Sequence, residues 1–347
     1  MVTGKAARRK QSKLRAGGER MTMDDLAALA GVSKVTVSRA LSDNELVAPA
    51  TRKKVQDLAA QHGYKVNLHA RNLRLQKSYT VAVVVEMTPS PERPMSDPYP
   101  LEILGGISQA LASAGYNLLL TTGRGSREDQ IHAADGAILL GQGMDDAAVR
   151  RVAESGVPFV VWGAPRREQA YVVVGSDNEQ GGALAAERLL ALGRRRLVFL
   201  GDTSHAELAA RLSGYRRVIE AAGARLAASL ICPFTFAGGF NAVESLLAQD
   251  SRTQDPKPFD GLFCGSDLVA MGAIRSLTDH GLSVPDDVSV IGYDDTPMAA
   301  NFVPPLTSIH QNWREGGILL GQKILSLIDG HQPTSEVMPA SISVRIS

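Results

Sequence analysis

The sequence contains very little cysteine: Cys232 and Cys264 are the only two among its 347 residues. They lie far apart and lack the spacing of zinc ligands, so neither a disulfide framework nor a cysteine-based metal site is expected. Long apolar runs are also missing, since no stretch approaches the ~20 apolar residues that a membrane helix needs. The basic N-terminus is not followed by the apolar segment of a secretory signal. These absences predict a protein of the reducing cytoplasm, without a membrane partner.

Motifs that would point to an enzyme are missing as well. The sequence has no Walker loop, no complete dinucleotide fingerprint and no Gly-x-Ser-x-Gly elbow, and its seven histidines form no ligand-spaced pair. Asp294 and Asp295 stand side by side after a predicted strand, where they are compatible with a carboxylate dyad or with a structural turn. The sequence therefore favours a function that needs no catalytic residue, cofactor or metal.

The small formal net charge of +1 hides a strong asymmetry. Residues 1–77 hold 16 Lys and Arg against 6 Asp and Glu, a charge of +10. The rest of the chain holds 21 against 30, a charge of −9. A basic head on an acidic body predicts a polyanionic partner for the head and repulsion between that partner and the body.

Two patterns of hydrophobicity divide the chain. Residues 1–20 have no apolar periodicity and are predicted to be a disordered basic tail. A helical segment follows the tail. In the rest of the chain, apolar runs without polar alternation alternate with amphipathic segments, a pattern typical of buried parallel strands connected by helices. A body of this length is predicted to form two doubly wound lobes rather than one very wide sheet. The predicted strands are 81–86, 117–122, 136–140, 159–162, 172–174, 197–201, 261–264 and 288–293.

The helical segment before the body carries the signals of three short helices. Thr22 is a favourable N-cap, Gly31 ends the first helix, Ser33 caps the second, and Pro49 opens the third. Two short helices joined by a glycine-containing turn form a DNA-reading unit whose second helix enters the major groove. A small helical bundle with solvated charges is the alternative that this pattern leaves open.

The second of these helices carries polar side chains that so small a core cannot bury, at Lys34, Thr36, Ser38 and Arg39. The forked guanidinium of Arg39 matches the two acceptors that guanine presents in the major groove, and Val35 can offer an apolar contact to a thymine methyl group. Together with the positive charge of the segment, these side chains predict double-stranded DNA as the partner.

Several motifs then occur in a fixed order along residues 22–347. They are 23–42 (MDDLAALAGVSKVTVSRALS), 51–55 (TRKKV), 63–67 (GYKVN), 214–215 (GY), 265–273 (GSDLVAMGA), 291–296 (IGYDDT) and 304–307 (PPLT). These motifs resemble those of the lactose-repressor (LacI/GalR) family of transcriptional regulators. The resemblance implies an all-α helix–turn–helix head and an α/β body of two doubly wound parallel-sheet lobes of the periplasmic-binding-protein type.

The resemblance also implies the domain boundaries. The helix–turn–helix domain would span 21–66, the segment 67–77 would be a hinge, and the body would span 78–347. Within the body, the first lobe would consist of about 78–175 and 307–329, and the second of about 176–306 and 330–347.

For the head, the resemblance implies a set of DNA-binding residues. Lys34 and Val35 occupy the variable base-reading positions, and Arg39 matches a frequent guanine contact. In the hinge, Leu73 matches an apolar residue that two subunits wedge into the minor groove, which kinks the duplex. The implied DNA-binding set is Thr22, Ser33, Lys34, Val35, Thr36, Ser38, Arg39, Asn67, Ala70 and Leu73.

For the body, the resemblance implies a small ligand held between the lobes, at the carboxyl ends of the strands. Asp267 starts a helix directly after a strand and could accept hydrogen bonds from vicinal hydroxyls, while Trp313 offers an apolar face to a sugar ring. Core packing is the alternative for each aromatic residue. Ala209 stands where sugar-binding members carry an arginine, and Arg211 is expected to be structural. The implied effector-binding set is Pro100, Ile103, Trp162, Asp177, Phe234, Asp267 and Trp313.

Together these inferences predict a homodimeric, sequence-specific transcriptional regulator of the cytoplasm, associated with the nucleoid. It would act as a repressor on a near-palindromic operator, under the control of a small-molecule effector, a carbohydrate by resemblance. A solute-binding receptor and a small-molecule enzyme share the α/β body and are the two alternatives, although neither explains the basic head.

Overall fold

The computed structural model divides into two compact units, with the boundary between Lys77 and Ser78. The predicted tail 1–20 lies outside the described residues, as do the hinge positions Asn67, Ala70 and Leu73. The described residues are 21–64, 72, 77–86, 95, 97–122, 131–143, 146–166, 168–250 and 259–347.

The head consists of the helices α1 (Met23–Ala30), α2 (Lys34–Leu41) and α3 (Pro49–Gln61). They form because each contributes apolar residues at helical spacing to one small core, in which the side chains of Leu26, Val37 and Val55, one from each helix, are fully buried. The predicted three-helix head is therefore present.

The ends of these helices follow the predicted local signals. Thr22 caps α1 in a reciprocal capping box, in which its hydroxyl accepts from the Asp25 N–H at 3.3 Å and the Asp25 carboxylate accepts from the Thr22 N–H at 3.1 Å. Gly31 ends α1 in the left-handed region, with φ of +70°. Ser33 caps α2 by accepting from the Thr36 N–H at 3.1 Å. The turn between α1 and α2 is thus fixed by short-range contacts.

The body holds two six-stranded sheets with helices on both faces. Its helices are α4 (Pro98–Ser113), α5 (Ala147–Glu154), α6 (Asn178–Ala191), α7 (Ala206–Ala221), α8 (Phe236–Asp250), α9 (Asp267–Asp279), α10 (Pro297–Ala300) and α11 (Trp313–Ile328). In none of the described helices is there a stretch long and apolar enough to cross a membrane.

The first sheet has the strand order β2-β1-β3-β4-β5-β11, and all its neighbouring strands pair in parallel. Residues of β1 alternate between two cores, one shared with α4 and α11 and the other with α5, so both faces of the strand are buried. Its strands are β1 (Thr80–Val85), β2 (Asn117–Thr122), β3 (Gly136–Leu140), β4 (Phe159–Trp162), β5 (Val172–Ser176) and β11 (Glu336–Met338).

The second sheet has the strand order β7-β6-β8-β9-β10-β12, in which β12 alone runs antiparallel to its neighbour. Helices α6 and α7 cover one face, and α8 and α9 cover the other. Its strands are β6 (Arg196–Leu200), β7 (Arg225–Leu230), β8 (Gly261–Cys264), β9 (Ser289–Asp294), β10 (Thr307–His310) and β12 (Ser341–Ser343).

Two short strands lie in the opposite lobe from the one that the sequence predicts. Strand β10 was expected in the first lobe with residues 307–329, but it pairs with β9 in the second sheet. Strand β11 was expected in the second lobe with residues 330–347, but it pairs with β5 in the first. The reason is that the chain changes lobes after β10 and again after β11, whereas the predicted boundaries place both changes earlier in the chain.

The chain crosses between the lobes three times, and the crossings lie side by side. They connect β5 to α6, β10 to α11 and β11 to β12. In the first and third crossings, the Asp177 N–H donates to the Met338 carbonyl at 2.8 Å, and the Ala340 N–H donates to the Gln180 side chain at 2.9 Å. The third crossing also borders the second, because Ser341 pairs with His310. The three connections thus form one hydrogen-bonded band between the sheets.

Glycines let neighbouring helices touch along their main chains. A Cβ atom on Gly182 of α6 would collide with the Arg211 carbonyl of α7, and one on Gly214 of α7 would collide with the Glu179 carbonyl of α6. The same reciprocal contact joins Gly106 to Gly317 and Gly239 to Gly272. This close approach explains why the motif at 214–215 begins with glycine.

Candidate functional site

Helix α2 presents the predicted DNA-reading side chains to solvent. Lys34, Val35 and Arg39 are exposed, and Val35 exposes 58% of its surface although it is apolar. Lys34 pairs with Asp24 of α1 through an Nζ–Oδ1 distance of 2.7 Å, an exposed ion pair of small energetic value. The remaining predicted residues on this surface, Ser33, Thr36, Ser38 and Thr22, are exposed or partly exposed at the starts of α1 and α2 or on α2 itself.

Helix α3 holds α2 in place through side chains that reach main-chain acceptors. The Gln56 amide donates to the Ala40 carbonyl at 3.2 Å and to the Asp43 carboxylate at 2.7 Å. Lys54 donates to the Ala30 carbonyl at 2.9 Å, where its charge also suits the C-terminal end of α1. The exposed face of α2 is therefore attached to a rigid support, as a reading helix requires.

The body contains a cavity between the carboxyl ends of its two sheets. It encloses about 1080 Å³ of space, part of which is open to solvent. Glu86 follows β1, Trp162 ends β4 and Asp294 ends β9, so both sheets contribute the residues that follow or end their strands. The polar and aromatic side chains of the wall are Glu86, Asp97, Tyr99, Trp162, Ser176, Asn178, His205, Glu207, Arg211, Phe234, Ser266, Asp267, Asp294, Thr296 and Gln311.

Arg211 of α7 is the buried cation of this wall. Its Nε donates to Asn178 Oδ1 at 2.8 Å, its Nη1 donates to the Gly265 carbonyl at 2.6 Å, and its guanidinium carbon lies 3.5 Å from the centre of the Tyr293 ring. These contacts fix the plane of the guanidinium while the group lines the cavity. The sequence predicts a structural role for this residue, and its position adds the possibility of direct contact with a ligand.

Asp267 contributes to the wall, but both of its carboxylate oxygens are already occupied. Oδ1 accepts from the Ser308 hydroxyl at 2.6 Å, and Oδ2 accepts from the Thr296 N–H at 2.7 Å and from its hydroxyl at 2.9 Å. The residue is 1% exposed. Burial raises the pKa of Asp267 to about 6, and these hydrogen bonds oppose the rise. Asp267 therefore connects β10 to the start of α10 as well as facing the predicted ligand.

Asp294 is a second carboxylate of the wall, which the sequence analysis did not assign to the effector. It ends β9 with φ of +112°, outside the usual region for a residue with a side chain. Gln311 donates to its Oδ1 at 2.8 Å from the crossing after β10. Burial raises the pKa of Asp294 well above its usual value; the Arg211 guanidinium lowers it and the Asp267 carboxylate raises it further. The two carboxylates and Arg211 thus form one electrostatically connected group.

Aromatic side chains provide the apolar part of the wall. Trp162 comes from the first lobe and Phe234 from the second, where Phe234 packs edge-to-face on the His205 ring with 5.5 Å between centroids. Such faces suit the C–H surface of a sugar ring, and the polar groups around them suit its hydroxyls. Of the seven effector residues predicted, the structure brings Trp162, Phe234 and Asp267 together here.

The other four predicted effector residues lie outside this wall. Asp177 caps α6 by accepting from the Gln180 N–H at 2.8 Å and borders a different surface depression. Pro100 and Ile103 are buried within α4. Trp313 is buried in the core of the first lobe, edge-to-face with Tyr99 at 5.6 Å, and its Nε1 has no hydrogen-bond partner among the described residues. Pro100, Ile103 and Trp313 thus take part in the packing of α4 and α11, and contact of these residues with a ligand stays a prediction.

The wall residues that the sequence analysis missed have identifiable signals. Glu86 and Gln311 each follow a strand by one residue, and Asp294 ends one, so the rule that ligands bind at carboxyl ends of strands points to all three. Asp97, His205 and Glu207 lie at the starts of helices, where a single sequence gives no such rule. As for metals, the part of the chain that the structure describes has no group of three or more His, Cys, Asp or Glu placed to hold an ion.

Comparisons with known sequences agree with this two-unit architecture. Residues 22–67 match the family described as bacterial regulatory proteins, lacI family, and residues 186–347 match the periplasmic binding protein-like domain. The HTH-type transcriptional regulator CelR of Thermobifida fusca is 34% identical over 94% of this chain and 98% of its own. Catabolite control protein A of Priestia megaterium is 30% identical over 84% of this chain and 87% of its own.

Solved structures show the same similarity. A complex of the transcriptional regulator CelR with cellobiose has 31% identity and a TM-score of 0.70, covering 94% of this chain and all of that one. The lac repressor dimer bound to operator and the anti-inducer ONPF has 25% identity and a TM-score of 0.80, covering 94% of this chain and 99% of that one.

A helix–turn–helix head followed by a two-lobed binding body defines a ligand-responsive DNA-binding protein. The similarity extends through both units, and the chain belongs to the LacI family of transcriptional regulators. It is accordingly a DNA-binding regulator and not an enzyme. The solute-binding receptor that the sequence left as an alternative is set aside for the same reason, since these relatives are regulators that match the head as well as the body.

Proposed function

We propose that this regulator is a homodimeric repressor whose affinity for a near-palindromic operator is set by a saccharide bound in the cavity of its body. The observation that carries the proposal is the composition of the cavity wall, in which aromatic faces from both lobes surround fixed donors and acceptors. Two relatives support it, since one is complexed with cellobiose and another is a dimer bound to operator and the anti-inducer ONPF.

On the DNA, we propose that Arg39 and Lys34 read base edges while Thr22, Ser33, Thr36 and Ser38 lie against the phosphates. The N–H groups at helix N-termini and the hydroxyls of Ser and Thr commonly donate hydrogen bonds to DNA phosphates. The hinge residues Asn67, Ala70 and Leu73 complete the proposed interface, with Leu73 as the minor-groove wedge. Because DNA in a bacterium lies in the cytoplasm, the protein acts there, and association with the nucleoid is part of this proposal.

A saccharide that touches both lobes stabilises one relative position of the lobes. Arg211 and Phe234 belong to the second lobe, whereas Trp162 belongs to the first, so a ligand between them contacts both. The ligand changes DNA affinity only to the extent that it binds the DNA-bound and free conformations differently. The same coupling requires operator DNA to change the affinity for the saccharide by the same factor.

The test is a pair of measurements on the full chain. A saccharide panel that includes cellobiose is screened by thermal shift, since a ligand of the native state raises the melting temperature. A hit is then titrated against the protein on an operator selected from random DNA, with fluorescence anisotropy as the readout. A saccharide that raises the melting temperature and changes operator affinity supports the proposal, and binding of operator that no saccharide changes contradicts it.

Phe234→Ala and Phe236→Ala provide a matched pair for locating the site. Phe234 lines the cavity, whereas Phe236, two residues along the chain, is 42% exposed and lies outside the wall. We expect Phe234→Ala to weaken the saccharide by about tenfold or more, since a buried aromatic contact contributes on the order of 1.5–3 kcal/mol, and Phe236→Ala to leave affinity unchanged. Equal affinity in both variants would place the ligand elsewhere.

A further inference from the structure

The charges on the cavity wall are strongly unbalanced. Its described residues include five carboxylates, and its basic side chains are Arg211 and His205. The carboxylates are Glu86, Asp97, Glu207, Asp267 and Asp294. A concave wall lined mainly by one sign of charge concentrates the electrostatic potential inside the cavity, and a charged ligand has to enter that potential.

Neighbouring cations offset part of this charge but not all of it. Arg151 pairs with Glu86 at 2.7 Å from outside the wall, and the Arg211 guanidinium lowers the pKa of Asp294. His205 lies 3.9 Å from Asp202, which is a further carboxylate near the same rim. Even if the Glu86–Arg151 pair, the group of Arg211 with Asp267 and Asp294, and the His205–Asp202 pair each carry no net charge, Asp97 and Glu207 still give the cavity a negative charge.

Three of the helix N-termini that line the cavity hold a carboxylate of this chain. Asp97 caps α4 by accepting from the Tyr99 N–H at 3.0 Å. Glu207 lies in the first turn of α7, and Asp267 is the first residue of α9. The N-terminus of a helix is the position that favours a bound phosphate or carboxylate, because its N–H groups and dipole are positive. At these three positions the protein carries its own anions, and the Asp97 carboxylate accepts directly from an N–H of its helix.

We propose that the cavity selects saccharides by charge: it takes neutral or ammonium-bearing saccharides and rejects those that carry a phosphate or carboxylate. Sugar hydroxyls and ammonium groups donate hydrogen bonds to carboxylates, whereas an anionic substituent meets like charge. Among the described residues of the wall its cationic partners would be His205 and Arg211, and the Arg211 guanidinium is already bonded to Asn178 and to the Gly265 carbonyl. The inference rests on the proposed function, because it assumes that the effector is a saccharide bound in this cavity.

The test compares ligands that share a scaffold and differ in charge. Calorimetry on the full chain measures the affinity for cellobiose, for cellobiose carrying a 6′-phosphate and for the disaccharide of glucosamine, with the corresponding glucose, glucose 6-phosphate and glucosamine series run in parallel. We expect the phosphorylated compound to bind at least about tenfold more weakly than its neutral parent, and the difference to shrink as salt is added.

Two conservative variants connect the selection to the named carboxylates. Glu207→Gln and Asp97→Asn keep the shape of each side chain, and Asn remains a favourable N-cap. In the double variant, the affinity for the phosphorylated compound should rise relative to the neutral one. Glu154→Gln combined with Asp286→Asn also removes two carboxylate charges, at exposed positions outside the wall, and should leave the ratio unchanged.

The outcomes separate this inference from the proposed function. A phosphorylated saccharide that binds as tightly as its neutral parent, or a ratio that the double variant does not move, overturns the charge selection and leaves a saccharide effector in place. If no compound of any charge class binds, the saccharide effector itself is wrong and the inference fails with it.

Discussion

Gly182 and Gly214 each lie against the main chain of the other's helix, so α6 and α7 are in direct backbone contact. This contact places Asn178, at the start of α6, beside Arg211, in the middle of α7, with 2.8 Å between Oδ1 and Nε. The orientation of the cavity's buried cation thus depends on two residues that have no side chain. These two glycines do not line the cavity themselves, yet they help to position a side chain that does.

Gly214→Ala should destabilise the body because its Cβ would collide with the Glu179 carbonyl, and a main chain cannot rotate away. We expect the free energy of unfolding to fall by about 3 kcal/mol or more, the upper range for overpacking. The control is Gly105→Ala, since Gly105 lies inside a helix with nothing within 4 Å of its Cβ position. That variant should gain up to about 1 kcal/mol from helix propensity. Urea denaturation distinguishes the two, and equal stability would refute the tight contact.

Arg39→Ala should weaken binding to a selected operator by about 1–3 kcal/mol, the value of one bidentate base contact. Arg39 is exposed on the reading helix, so its removal costs the head little stability. Lys53→Ala, which removes one exposed charge from α3, is the matched control for the loss of positive charge. Anisotropy with operator and with random DNA gives both affinities. Equal losses on the two DNAs, or equal losses in the two variants, would contradict base reading by Arg39.

Asp267→Asn should reduce the dependence of stability on pH between about 4 and 6. Burial raises the pKa of Asp267 from 3.8 to about 6, so the folded protein binds this proton more tightly than the unfolded chain does. The free energy of unfolding therefore falls as pH rises through this window, by up to about 3 kcal/mol at ~1.4 kcal/mol per unit. The variant lacks this titration.

Urea denaturation from pH 4 to 7 measures the difference between wild type and Asp267→Asn, in which contributions from carboxylates that do not interact with Asp267 cancel. Asp286→Asn, at an exposed position, controls for the loss of one carboxylate. A wild-type curve that runs parallel to that of Asp267→Asn across the window would show that Asp267 titrates normally.

Trp313→Phe should leave saccharide affinity within about twofold of the wild type, because the structure places Trp313 in the core and not in the cavity wall. Its buried Nε1 has no partner among the described residues, so removing that donor offsets part of the lost packing. We expect a change in stability of no more than about 1–2 kcal/mol. Calorimetry and urea denaturation measure the two quantities. A large loss of affinity in a stable variant would restore Trp313 to the binding site.

The elements that the sequence predicts well are those fixed by nearby residues. The caps at Thr22 and Ser33 and the break at Gly31 depend on contacts within four residues, and all three are observed. All eight predicted strands are present within one or two residues, because a strand buried on both faces is apolar throughout. Edge strand β7 was not predicted, since its half-exposed residues lack that signal.

The features that the sequence does not predict depend on contacts between residues that are far apart in the chain. Strands β10 and β11 have only four and three residues, too few to show which sheet they join. Arg211 lies in the cavity wall because α7 packs on α6, and Trp313 lies in the core because α11 packs on α4. The sequence singles out Arg211 and Trp313 as candidates for a special role. Whether each one contacts a ligand or packs in the core depends on a neighbouring helix that is far away in the chain.

The three adjacent crossings restrict how the lobes can rearrange. One flexible connection would let two lobes move in any direction, whereas three adjacent connections joined by hydrogen bonds restrain one another. A ligand that changes the relative position of the lobes must therefore move all three connections together.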